Sequence, residues 1–276
     1  MKFLPPHKAW VVRETDRGFS GSIEKRSDVP VEPGYVVVKT HYSALNYKDA
    51  LSASGHKGIT SVYPHIPGID LTGEILFSPD QNFAPGQLIA VTGYDLGMNS
   101  DGGWSGVVQI PKAWVVPLPE KLSTLDAAAI GTAGLTAGLC LQRLLHEGLR
   151  PESGPVAVTG STGGVGSAAV ALLHSRGFQV TAVTGKKTHE AYLKTLGANE
   201  VLSREEFSEA PDRPLLKGRW AAAIDTAGGD LLSAVLRQIK PGGSVAVCGL
   251  VQSDRLHTSV YPFILRGVSL LGIDSA

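Results

Sequence analysis

Residues 154–189, GPVAVTGSTGGVGSAAVALLHSRGFQVTAVTGKKTH, constrain the chain more than any other segment. Val156, Ala157 and Val158 form a short apolar run of strand type, Gly160 to Gly166 read as a glycine-rich turn, and Ser167 to His174 as a helix of small residues. A second strand is predicted over Gln179 to Val183. Strand, turn, helix and strand in this order are half of a nucleotide-binding βαβ unit.

A pyrophosphate reaches the free N–H groups at a helix N-terminus only where no side chain blocks it. Gly163 is the candidate for closest approach and Gly166 lets the helix pack on the strand, while Ser161 stands where the usual fingerprint has its first glycine. The turn therefore reads as a G-x-x-G-G-x-G variant, with Gly163, Gly164, Val165, Gly166 and Ser167 as candidate cofactor contacts. Glycine clusters also mark plain tight turns; the flanking strands and helix are what favour dinucleotide binding. NAD needs an acidic residue about twenty positions past the glycines for its ribose 2′-OH, but the second strand ends in Thr184, Gly185, Lys186 and Lys187. A hydroxyl and ammonium groups suit a 2′-phosphate, so NADPH is expected, the alternative being solvated surface lysines.

A hydrophobic content of 43% over 276 residues is enough for a substantial core and for two domains. Basic and acidic residues balance at 25 each, which gives no electrostatic case for nucleic acid or an anionic membrane. Cys140 and Cys248 lack C-x-x-C spacing and are expected to be buried reduced thiols, with no disulfide framework or structural zinc. No signal peptide and no membrane-spanning run are read from the sequence, and a cytoplasmic enzyme is expected.

The first part of the chain, to about residue 122, carries short β-rich runs: Tyr35 to Lys39, Gly73 to Phe77, Gln87 to Val91 and Ala113 to Val116. From Ser123, a candidate N-cap, the pattern turns helical to about Glu147, and strands and helices then alternate, with Val245 to Cys248 and Ser269 to Gly272 as later parallel strands.

Taken in order, LNYKDAL at 45–51, PGID at 67–70, GTAGLTA at 131–137, TGSTGGVGS at 159–167, LGA at 196–198, CGL at 248–250 and PFILRGV at 262–268 resemble the zinc-free quinone-oxidoreductase branch of the medium-chain dehydrogenases/reductases. NYKD, PFILRGV and GIDS resemble, more narrowly, the acrylyl-CoA reductase subfamily. The resemblance implies an α/β protein: a GroES-like β-rich catalytic domain over residues 1–122, then a Rossmann doubly wound parallel sheet domain over 123–276 that binds NADPH. It also implies a homodimer joined near Ser269 to Gly272, and a returning C-terminal segment that is absent from this chain. GMNSDGGWSG at 97–106 and DTAGGD at 225–230 depart from the family pattern.

The activity so implied is conjugate reduction, with hydride delivered to the β-carbon of an enoyl-CoA thioester such as acrylyl-CoA, or alternatively of a quinone. A non-catalytic NADPH-binding protein is the further alternative. No metal is expected, because His41, His56 and His65 have no partnering thiol in the first half. The family places Asn46, Tyr47, Lys48 and Asp49 by the nicotinamide; Tyr47 is the candidate to hold substrate or donate the proton, its alternative being packing beneath the cofactor. Lys48 and Asp49 are alternatively an ion pair that holds the loop. Thr136, Gly249 and Leu250 are implied near the nicotinamide, and Arg204 near the adenosine phosphate unless it pairs with Glu205 or Glu206. Lys39, Lys57 and Arg266 are the candidate partners for the phosphates of CoA.

Overall fold

The computed structural model describes residues 3–208 and 213–275, and Ala276, the last residue of the second expected domain, lies outside them. Two compact units emerge, one reaching Thr132 and the other running from Ala133 to Ser275.

The first unit begins with an antiparallel hairpin, β1 (His7–Thr15) and β2 (Gly18–Arg26). It continues through β3 (Tyr35–Tyr42), helix α1 (Tyr47–Ala53), β4 (Asp70–Phe77), β5 (Leu88–Thr92), β6 (Val107–Pro111) and β7 (Val116–Pro117). Strands β3 to β7 form one antiparallel sheet in the order β6-β3-β4-β5-β7. Its core is β-branched and apolar, with Val36, Val38, Leu71, Ile75, Ile89, Val91, Val108 and Ile110 all buried, as half-buried pleated strands require. Ala113 to Val116, expected as a strand, is one correction. Residues 112–114 make a 3-10 turn closed by Val115 N to Lys112 O at 3.2 Å, and the Trp114 ring stacks on Tyr94, so only Val116–Pro117 pair.

Helix α2 (Thr124–His146) starts where the Ser123 hydroxyl accepts the Asp126 N–H at 3.1 Å, and it is broken at Gly131, whose φ of 47° and ψ of −158° are not helical. By length and composition α2 is apolar enough to cross a membrane, which the sequence reading did not anticipate. Beyond the break, however, Ala137, Cys140, Leu141 and Leu144 pack into the core of the second unit.

That unit contains β8 (Val156–Thr159), α3 (Gly164–Ser175), β9 (Val180–Thr184), α4 (Glu190–Thr195), β10 (Glu200–Ser203), α5 (Arg204–Ser208), β11 (Trp220–Asp225), α6 (Gly229–Gln238), β12 (Ile239–Val247), α7 (Tyr261–Arg266) and β13 (Ser269–Gly272). Its six strands are all parallel, in the order β10-β9-β8-β11-β12-β13. Alternate residues of each strand feed opposite faces: Val156, Val158 and Ile224 join one core with α2 and α3, while Ala157, Ala223 and Val245 join the other with α6. Burial on both faces is why the central strands β8 and β11 are largely apolar runs in the sequence.

Leu173 of α3 is fully buried in the first of these cores. Leu173→Ala is expected to lower unfolding stability by about 2–5 kcal/mol, through lost transfer energy and the cavity left behind. Urea denaturation checks this; a loss below about 1 kcal/mol contradicts the packing described.

Candidate functional site

In the second unit the glycine-rich turn closes between β8 and α3. Gly163 N donates to Gly160 O at 2.9 Å, and Gly160 adopts φ +60°, with its missing Cβ leaving space for the Thr226 hydroxyl. A Cβ at Gly166 would collide with the Gly160 carbonyl, so the helix lies against the strand end only because residue 166 is glycine. Ser161 replaces the usual glycine for a different reason. Fully buried, its hydroxyl donates to Val158 O at 2.6 Å and accepts Val183 N at 2.9 Å, stitching β8 to β9.

No side chain caps α3, whose N-cap Gly163 and first residue Gly164 are exposed. The first N–H groups of a helix lack intrahelical partners and carry the positive end of its dipole. Val165 and Ser167 follow half-buried, and the Ser167 hydroxyl donates to Gly164 O at 3.1 Å. The pyrophosphate cradle of a dinucleotide fits here: an anion meets bare backbone, with no Cβ at 163 or 164.

The parallel register pairs Ser203 of β10 with Thr184 of β9, which brings the next residue, Arg204, beside Gly185. A Cβ at Gly185 would lie 2.9 Å from Arg204 Nε. Thr184 is buried and accepts Lys186 N on its hydroxyl at 3.0 Å, with Thr162 Oγ1 at 3.3 Å. Lys187 is taken up by Glu206 at 2.7 Å, and that carboxylate also accepts Ser203 N at 2.7 Å. The Lys187 contact holds the Glu206 carboxyl below its usual range. Exposed Lys186 and Arg204 thus follow β9 and β10 at the strand ends near Thr184, and among the described residues none that follows β9 as far as His189 is acidic.

At the C-terminal ends of β11 and β12, Asp225 is fully buried, accepting the Thr159 hydroxyl at 2.6 Å and Gly228 N at 2.8 Å. Burial raises its carboxyl above the ordinary value. Gly249 packs so closely on the Thr226 carbonyl that a side chain there would collide, and exposed Leu250 follows. Both line a shallow pocket with Cys248, Gly272, Ile273 and Asp274. Thr136 of α2 is buried and donates to the Ser275 hydroxyl at 2.6 Å. Cys140 and Cys248 are free thiols; Cys140 is buried, and Cys248 together with burial pushes its thiol upward, whereas Cys248, expected to be buried, is only half-buried and donates to Asp225 O at 3.5 Å.

In the first unit, Asn46 precedes α1 and Tyr47 opens it, with the Tyr47 side chain largely in solvent at 68% exposure. Asp49 is buried instead. One of its oxygens accepts Asn46 N at 2.7 Å, the other Gly68 N at 3.1 Å and Ile69 N at 2.9 Å. Burial raises the Asp49 carboxyl, and the three N–H donors pull against that rise. Lys39 pairs with Glu74 at 2.8 Å and Lys57 with Glu14 at 3.3 Å, while Arg266 donates to the carbonyls of Arg237, Ile239 and Leu216. His65 is buried with Nε2 2.8 Å from Gly97 O. Among the described residues no group of three or more His, Cys, Asp or Glu is arranged to hold a metal ion. Sequence reasoning gave no role to Asp70, Thr159 or Asp225, although the segments PGID at 67–70, TGSTGGVGS at 159–167 and DTAGGD at 225–230 contain them.

Residues 32–120 match the alcohol dehydrogenase GroES-like domain family, and residues 164–275 match the zinc-binding dehydrogenase family. The chain is 46% identical over 249 residues to the acrylyl-CoA reductase AcuI of Ruegeria pomeroyi, covering 90% of this chain and 75% of that protein. The crystal structure of the yhdH oxidoreductase from Salmonella enterica in complex with NADP superposes with a TM-score of 0.92 at 47% identity, over 97% of this chain and 82% of that one. That of yhfP from Bacillus subtilis with NAD bound gives 0.94 at 44% identity, over 99% and 83%. The chain therefore belongs to the medium-chain dehydrogenase/reductase superfamily, in the quinone-oxidoreductase branch that includes acrylyl-CoA reductase AcuI.

Proposed function

We propose that this chain is an NADPH-dependent reductase of activated C=C bonds that converts acrylyl-CoA to propionyl-CoA. The observation that carries the reading is the strand-end cluster of Thr184, Gly185, Lys186 and Arg204, in a chain 46% identical to a named acrylyl-CoA reductase. Gly163, Gly164, Val165, Gly166 and Ser167 receive the pyrophosphate; Thr184, Lys186 and Arg204 receive the 2′-phosphate. Gly249, Leu250 and Thr136 hold the nicotinamide end. Bound there, NADPH supplies a hydride to the β-carbon of the substrate.

Reduction leaves enolate charge on the thioester oxygen and a carbanion equivalent at the α-carbon, which must take a proton. Tyr47 is the residue assigned to hydrogen-bond the substrate and donate that proton, because its phenol is exposed and carries an O–H donor. Asn46 and Asp49 fix the backbone on which Tyr47 is carried. The enzyme works in the cytoplasm, consistent with two free thiols, and pairs as a homodimer through the sheet-edge strand β13.

One observation favours a second reading, a quinone as acceptor. Lys39, Lys57 and Arg266, the residues expected to meet the phosphates of CoA, are engaged by Glu74, Glu14 and backbone carbonyls, which suits a flat uncharged substrate.

NADPH oxidation by the purified chain is expected with acrylyl-CoA and to be much slower with NADH; turnover with 1,4-benzoquinone alone selects the second reading, and NADPH binding without any turnover overturns both. Arg204→Ala is expected to raise the NADPH Kd by about tenfold to a hundredfold while leaving the NADH Kd within about twofold, as loss of a charge-assisted phosphate contact predicts. Equal weakening of both coenzymes contradicts the 2′-phosphate assignment. Tyr47→Phe should lower kcat with acrylyl-CoA by about a hundredfold at unchanged NADPH Kd; a kcat within about twofold of wild type removes Tyr47 as proton donor.

A further inference from the structure

Asp70 opens β4 at 3% exposure, and its carboxylate receives four hydrogen bonds from two other segments of the first unit. Oδ1 accepts Ala44 N at 2.8 Å; Oδ2 accepts Asn46 Nδ2 at 2.9 Å, Thr132 N at 3.1 Å and Thr132 Oγ1 at 3.0 Å. The Asp70 carbonyl also accepts the Ser43 hydroxyl at 2.7 Å, so residues 43, 44 and 46 are all tied to one residue. A buried carboxylate is costly unless its lone pairs are filled, and here neutral N–H and O–H donors fill them.

The far side of the arrangement is built for the same contact. The break in α2 at Gly131 leaves Thr132 N–H at the start of a new helical run, facing the carboxylate, and a Cβ at Gly131 would stand 3.1 Å from Asp70 Oδ2. Asp49 holds Asn46 by its backbone N–H while Asp70 holds the same residue by its side-chain amide. Asn46 is thus fixed at both ends, and the residue that follows is the exposed Tyr47.

We infer that Asp70 is a positioning residue of the reductase reaction: bridging Thr132 and the 44–46 loop, its carboxylate sets where Asn46 and Tyr47 present themselves to substrate. This rests on the reading of Tyr47 as the substrate-facing group. Misplacing a reacting group by about 1 Å costs on the order of a hundredfold in rate, so a residue that never touches substrate controls kcat.

Asp70→Asn keeps the shape but turns an amide donor toward donors, and Thr132→Val removes the hydroxyl donor alone. Expected are a kcat loss of about a hundredfold for D70N and about fivefold for T132V, each with NADPH Kd within about twofold of wild type, and recovery in Thr132→Ser, which restores the hydroxyl. Hydrogen–deuterium exchange of residues 43–50 should quicken about tenfold in D70N, with residues 156–170 unchanged. The inference is overturned if kcat stays within about twofold in both variants, if NADPH affinity falls in step with kcat, if T132S does not recover, or if exchange at 43–50 is unaltered. Should D70N not fold, the T132V and T132S pair decides by the same criteria. Should wild type not turn over acrylyl-CoA, the proposed function fails separately, and unaltered exchange at 43–50 still overturns the role given to Asp70.

Discussion

The nucleotide half of this protein depends on a steric constraint at residue 166. The backbone of α3 lies so near the Gly160 carbonyl that no side chain fits between them, and this contact sets how the helix meets the end of β8. With α3 seated there, its uncapped N-terminus lies at the carboxyl edge of a parallel sheet, the place where ligands of doubly wound folds bind. Ser161 supports the same arrangement by joining β8 to β9 with its buried hydroxyl, so the turn and the strand that carries Thr184 are held as one piece. The β9–β10 register then delivers Arg204 to Gly185. The strand-end cluster proposed to select the coenzyme is thus the outcome of a short chain of local geometry that begins with two glycines.

The first unit reaches its precision by other means. Asp49 and Asp70 are buried carboxylates whose partners are backbone or neutral side-chain donors, and both are spent on the loop that precedes α1. A carboxylate accepts several hydrogen bonds at once, which a hydroxyl or amide cannot match, and charge-assisted bonds to N–H are about twice as strong as neutral ones. Tyr47 is left in solvent on a backbone that is held from two sides. A rigid support beneath an exposed polar group is what a reaction limited by orientation requires.

Much of the fold was legible because its signals are local. The glycine turn, the apolar strands of the parallel sheet and the Ser123 cap announce themselves within a few residues. Ala113 to Val116 misled because an apolar run beside a proline reads alike for a strand and for a tight turn, and the stacking of Trp114 on Tyr94 decides between them. At the candidate sites, what could not be read was pairing. The capture of Lys187 by Glu206, the approach of Arg204 to Gly185 and the effect of Cys248 on the Cys140 thiol all depend on neighbours set by strand register and helix packing. Asp70 was visible within PGID, but its role requires residues 44, 46 and 132 to meet, and no spacing in the sequence announces that.

The most direct test of the account follows hydrogen through the reaction. With NADPH deuterated on the transferred face of C4, and acrylyl-CoA in ordinary water, the account predicts propionyl-CoA carrying one deuterium at its β-carbon and a solvent proton at its α-carbon. Deuterium at the α-carbon, or oxidation of the coenzyme without label in the thioester product, would contradict it.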